Sequence, residues 1–149
     1  MGIGAEPRPD GPPGATTLSV SEVAISGTGE TGLLTWSAAT ATVERSVVRD
    51  TRATTRGWGD GITTGGRGSL TLSDSLVERS ARAGLIFYGG GGSVRRSVFR
   101  KGVFAIDLEE AATPEIGDDN GFEDNKENRV TWGNKLAPSA VPQIPTPLP

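Results

Sequence analysis

The chain has 149 residues, 34% of them hydrophobic and 5% aromatic, with 22 Gly, 10 Pro and a net charge of −3. That composition suits one modest domain of turn-rich β architecture rather than a packed helical protein. With neither Cys nor His in the chain, disulfides, thiolate and imidazole metal ligands, cysteine nucleophiles and every Ser-His-Asp arrangement are excluded.

Residues 1–15 mix glycines with Pro7, Pro9, Pro12 and Pro13. They contain no apolar run of signal-peptide or membrane-anchor length and read as a disordered leader. From about residue 16 a short motif recurs. It reads ValGluArgSerValValArgAspThr at 43–51, LeuSerAspSerLeuValGluArgSer at 72–80 and ValArgArgSerValPheArgLysGly at 94–102. Degraded copies begin at Val20 and at Ile116, the latter with one extra residue before Phe122. The anchors Val20, Val43, Leu72, Val94 and Ile116 are spaced by 23, 29, 22 and 22 residues, and the long interval holds an insertion around residues 52–59.

Stacking the copies produces columns. The anchors form one apolar column; Ile25, Val48, Val77, Phe99 and Phe122 form another. Between them lie Val23, Ser46, Ser75, Ser97 and Asn120, and beyond them Thr28, Thr51, Ser80, Gly102 and Asn125, residues that fit tight corners. Each coil also has a second apolar segment opened by Gly: Gly32-Leu33-Leu34, Gly61-Ile62, Gly84-Leu85-Ile86 and Gly102-Val103-Phe104. The pattern predicts two strands per rung. A repeat of this length whose apolar residues keep their places is a solenoid in which each rung buries its face on the next, so the expected fold is all-β, a right-handed parallel β-helix of four to five rungs over residues 16–130. Residues 131–149 read as a C-terminal cap, with Trp132 over the open end, and a Pro-rich extended tail of polyproline II character.

Charge tests the register. Residues 43–101 hold eleven Arg and Lys against five acids, and residues 102–128 one Lys against nine acids. In the columns Glu22, Arg45, Asp74, Arg96, Asp118 and Arg49, Glu78, Arg100, Glu123 the sign alternates at every step. Matched positions on successive parallel strands lie about 4.8 Å apart, so these residues attract in register and repel when a rung slips. Much of the basic stretch is thereby neutralised, which argues against nucleic acid or another polyanion as partner.

The segments Ser46-x-Val48-x-x-Thr51, Ser75-x-Val77-x-x-Ser80, Ser97-x-Phe99-x-x-Gly102 and Asn120-x-Phe122-x-x-Asn125 resemble the right-handed β-helix repeat of the pectate-lyase-like superfamily (the pectin lyase-like fold). The resemblance covers residues 16–126 and implies a bacterial secreted or cell-surface protein. It is nearly silent on activity.

Four motifs bear on chemistry. Gly27-Thr28-Gly29-Glu30-Thr31-Gly32 spells GxGxxG, but the Thr-rich stretch after it leaves no room for the helix that phosphate binding requires, so it reads as a turn. Gly117-Asp118-Asp119 is similar to an element of polygalacturonase-type hydrolases, whose Asn-Thr-Asp, Gly-His-Gly and Arg-Ile-Lys companions are missing from the chain. Asp118, Asp119, Glu123 and Asp124 form an oxygen-rich stretch suited to Ca²⁺ without EF-hand spacing. Trp58, with Arg56 and Asp60, sits in the insertion, where solenoids carry binding residues. The expected function is a non-catalytic scaffold or binding module that contacts a polysaccharide or a surface protein. The alternative is a polysaccharide lyase or glycoside hydrolase using carboxylates and Arg.

Overall fold

A computed structural model describes residues 2–5, 16–131 and 134–135, and among them every regular element is a β-strand. β1 (Ile3–Ala5) precedes five rungs of three strands each. The first rung is β2 (Thr17–Ser21), β3 (Ala24–Ser26) and β4 (Thr31–Thr35), and the second is β5 (Thr40–Glu44), β6 (Val47–Arg49) and β7 (Asp60–Gly65). The third is β8 (Ser69–Ser73), β9 (Leu76–Glu78) and β10 (Ala83–Tyr88), and the fourth β11 (Gly91–Arg95), β12 (Val98–Arg100) and β13 (Phe104–Glu109). β14 (Glu115–Ile116), β15 (Gly121–Glu123) and β16 (Glu127–Thr131) make the fifth, and β17 (Asn134–Lys135) turns back antiparallel on β16. Equivalent strands stack in chain order into a broad sheet (β1-β4-β7-β10-β13-β16-β17) and two five-stranded sheets. Apart from the β16–β17 hairpin all pairing is parallel, and the chain is a right-handed parallel β-helix.

The register is the one the repeat requires. Val20, Val43, Leu72, Val94 and Ile116 are successive ladder partners, and so are Ile25, Val48, Val77, Phe99 and Phe122. A third inward column, Leu33, Ile62, Leu85 and Ile106, completes the core. Burying each of these side chains contributes about 1.5–3 kcal/mol. Below Ile106 the column ends on Arg129, so the apolar stack closes with a charged residue.

The rung has three strands rather than two because the motif itself bends in the middle. Glu22, Arg45, Asp74 and Arg96 adopt left-handed backbone, with φ between 45° and 58°, and break each motif into two short strands. The serine column holds this bend. Ser46 N–H donates to Ser75 Oγ (3.1 Å), Ser75 N–H to Ser97 Oγ (3.3 Å) and Ser97 N–H to Asn120 Oδ1 (3.0 Å), while each serine hydroxyl donates to a carbonyl of its own corner. Asn120 closes the series by turning its amide back onto the carbonyls of Val94 and Gly117.

The Gly-opened segments fall on the broad sheet, with one shift. Gly32, Gly61 and Gly84 occupy equivalent places, but the fourth is taken by Ala105, and Gly102 lies in the preceding turn. Glycine is needed because a Cβ on Gly32 or Gly61 would press within 2.7 Å of Val48 or Val77 Cγ1. Within the segment read as a leader, Ile3–Ala5 runs parallel to Leu33–Thr35. Residues 6–15, Trp132 and the tail from residue 136 lie outside the described residues. No helix long and apolar enough to cross a membrane occurs among the described residues.

Candidate functional site

Two flanks carry the polar chemistry. On the motif flank, charges pair along the stack: Arg45 with Glu22 (3.1 Å), Arg79 with Asp50 (2.6 Å), Arg96 with Asp74 (2.7 Å) and Arg100 with Glu78 (2.8 Å) and Glu123 (3.6 Å). Asp50 and Asp74 are held below the usual carboxylate range, first by hydrogen bonds from Arg79 and Arg96 respectively. Two expected partners differ. Arg49 stands in register with Glu78 but lies 3.8 Å from Asp50, and the extra residue of the last rung makes Asp119, rather than Asp118, the acid whose charge reaches Arg96.

The other flank is the outward face of the broad sheet, and the insertion folds over it. Thr54 N–H donates to the Trp58 carbonyl (2.7 Å) and Gly57 N–H to the Thr54 carbonyl (2.9 Å), which closes the loop on itself. Trp58 is carried against Arg82, whose guanidinium lies 5.0 Å from its ring centroid, and against Tyr88 at 6.2 Å. Trp36 flanks Tyr88 at 6.1 Å. Three aromatic rings thus meet on one outward face.

Beneath them lies a buried ion pair. Asp60 is fully buried; Arg82 Nε donates to its Oδ1 (2.8 Å) and Arg82 Nη2 to its Oδ2 (2.6 Å), while the Ala83 N–H also reaches Oδ1 (3.3 Å). Arg82 further donates to the Tyr88 hydroxyl (3.1 Å). Burial raises the Tyr88 phenol above its ordinary value, against the pull of the arginine. One strand further on, Asp107 and Glu109 are the ladder partners of Ile86 and Tyr88. Both carboxyls are pushed above their ordinary range, chiefly by burial, and Glu109 also by the charge of Asp107. The interaction between the two carboxyls lowers Asp107 and adds to the rise of Glu109.

Beside the rings opens a groove of about 540 Å³. Leu34, Thr31 and Thr63 line it together with Trp36, Trp58 and Glu30, and Gly2–Gly4 of the β1 region form another part of its wall. Aromatic and aliphatic surface with a few polar groups at the edge is the composition of a small-molecule or oligosaccharide site.

The residues singled out from sequence separate here. Trp58 lines the groove, Arg56 is exposed near the tip of the loop, and Asp60 is buried with both oxygens committed to Arg82. Among the proposed Ca²⁺ ligands, Asp118 and Asp124 are exposed, Asp119 is half-buried and Glu123 faces Arg100. No group of three potential metal ligands gathers among the described residues. The GxGxxG segment is a bend at Gly27 (φ 70°) leading into β4. Arg82, Tyr88, Asp107 and Glu109 are the functional candidates that the motifs did not single out. One signal marks part of the set: Trp36, Tyr88 and Glu109 stand 16, 16 and 15 residues after Val20, Leu72 and Val94.

The chain matches no protein-family model, no curated protein and no solved structure.

Proposed function

We propose that the protein is a non-catalytic β-helix scaffold of the secreted or cell-surface, pectate-lyase-like type, and that it binds a neutral glycan along the outward face of the broad sheet. The observation that carries this reading is the placement of Trp36 and Trp58 in one open groove. Sugar rings present C–H faces that pack on aromatic rings, while hydroxyls seek carboxylates and other acceptors at the edge. Glu30 at the groove and Asp107 and Glu109 farther along the face supply acceptors, and their negative charge disfavours a polyanionic chain.

The carboxyl pair also gives the enzyme reading its one specific support, since acids with raised pKa values serve as general acids. Its geometry favours binding instead. The two groups stand two residues apart on one strand and interact with each other, whereas glycosidase carboxyls are held about 5 Å or more apart on either side of the scissile bond. Arg82 is already committed to Asp60 and Tyr88.

The test is an oligosaccharide array with a parallel assay for released products. Retention of neutral glycans, weakened about tenfold by Trp58→Ala, supports the proposal. Undiminished binding by Trp58→Ala, or clear turnover by the purified protein, overturns it.

A further inference from the structure

At its upstream edge the broad sheet carries a strand that belongs to no rung. The third strand of each rung is joined to the first strand of the next by residues 36–39, 66–68, 89–90 and 110–114. β1 stands where the third strand of a preceding rung would, yet residues 6–16 separate it from β2. Its ladder among the described residues is with β4 alone: Ile3, Gly4 and Ala5 pair with Leu33, Leu34 and Thr35. β1 is therefore placed like a ligand on a tether rather than like part of a coil.

The contact obeys a sequence rule. Ile3 extends the inward column Leu33-Ile62-Leu85 and packs against the core. The residues just before these four are Gly2, Gly32, Gly61 and Gly84. A Cβ on Gly32 or Gly61 would lie 2.6 Å from the carbonyl oxygen of the glycine one rung on, and a Cβ on Gly2 would run into the carbonyls of Thr31 and Gly32. The edge of β4 thus takes glycine followed by an aliphatic residue, in parallel register, and rejects a side chain at the first position. At Gly4 a Cβ would make only ordinary contact with Leu34, at 3.8 Å, so that position does not select. We infer that the edge of β4 is a strand-acceptor site for an extended Gly-aliphatic peptide, and that residues 2–5 are the ligand the chain itself carries. In strand addition the main-chain bonds supply affinity and alternate side chains supply specificity. Here specificity rests on the bare Gly2 and the inward Ile3. The site goes beyond the glycan reading and stands without it, although Gly2–Gly4 also wall the groove.

In the full chain, Ile3→Asp sets a charge on the inward column and should vacate the edge, and Gly2→Val should vacate it by the second route. Both changes lie outside the five rungs. A capped peptide of residues 1–6 is titrated into each variant and followed by backbone amide NMR. Amides of Leu33, Leu34 and Thr35 are expected to shift and to saturate at about millimolar peptide, with those of Leu76–Glu78 on another sheet unmoved. The same peptide carrying Gly2→Val or Ile3→Asp should bind about tenfold more weakly or worse. In the unaltered chain, where β1 competes from its tether, the shifts should need about tenfold more peptide. Absence of shifts at Leu33–Thr35 up to the solubility limit overturns the proposal, as do equal shifts from the Gly2→Val peptide. So does a spectrum of both variants in which β4 keeps the amide positions of the unaltered chain, since β1 would then dock without regard to sequence. No glycan enters the measurement, so its failure leaves the glycan reading standing, and the reverse also holds.

Discussion

The two polar flanks of the β-helix solve the same problem by different means. On the motif flank most groups find a partner one rung away in a matched column: serine on serine, arginine on acid. On the broad sheet, partners come from different columns and from an insertion: Arg82 reaches Asp60 and Tyr88, and Trp58 closes over them. The first arrangement fixes register and leaves most of its charges in water, Glu78 being buried and held by Arg79 and Arg100. The second buries a charge under aromatic rings and leaves an open groove beside it. Periodic contacts build the stack, and the departure from periodicity builds the surface with chemistry to offer.

Breaking the buried pair tests this contrast most strongly. Asp60→Ala strands the Arg82 guanidinium, whose side chain is 26% exposed, beside a fully buried cavity, and denaturant unfolding should register a loss of about 3 kcal/mol. Replacing both partners, Asp60→Leu with Arg82→Met, should recover most of it, since the cost is that of an unpaired charge. A double variant as unstable as the single one would remove the ion pair from the account. Within the ladder, Asn120→Ala leaves the Ser97 N–H without its acceptor and removes the amide donor from the Gly117 and Val94 carbonyls, of which Val94 keeps the Gly117 N–H. The expected cost is about 2 kcal/mol, read as a lower midpoint of thermal unfolding.

How much of this was legible follows from the same contrast. The columns Val43-Leu72-Val94 and Val48-Val77-Phe99 were readable because each residue faces its counterpart in the next repeat, so spacing alone implies contact. The Arg100 to Glu78 pairing was readable for the same reason. The third strand of each rung was hidden because left-handed residues such as Arg45 and Asp74 are charged and look like any solvated position. Asp60 looked like a loop acid and is a buried one, because its partner, Arg82, lies 22 residues on in another column. Trp58 stood out by its place in an insertion, but nothing in spacing told that it would meet Tyr88 and lie near Trp36.

Acidity should act on the flanks in opposite directions. Asp50 and Asp74 have folded-state pKa values below their ordinary ones, so the stability they contribute is present above the unfolded value and lost as pH falls through the folded one. Asp107 and Glu109 have raised values, so the folded state holds their protons more tightly and stability falls as pH rises from the unfolded values through the folded ones. Asp107→Asn should therefore stabilise the protein at neutral pH and flatten that limb of the stability profile. A pH profile unchanged by Asp107→Asn would count against the burial assigned to it. The smallest effect belongs to the exposed ladder. Glu22→Gln removes a pair whose side chains are both more than half exposed, and a change of about 0.2–1 kcal/mol, shrinking with added salt, is expected from equilibrium unfolding.

The measurement that bears most directly on the proposed glycan binding is a chemical-shift map of the full chain titrated with a neutral oligosaccharide. Shifts should centre on the indoles of Trp36 and Trp58 and the amides of Thr31 and Thr63, with Arg45, Arg49 and Arg96 unmoved. Shifts concentrated along those arginines, with the groove silent, would place recognition on the periodic flank and contradict the account.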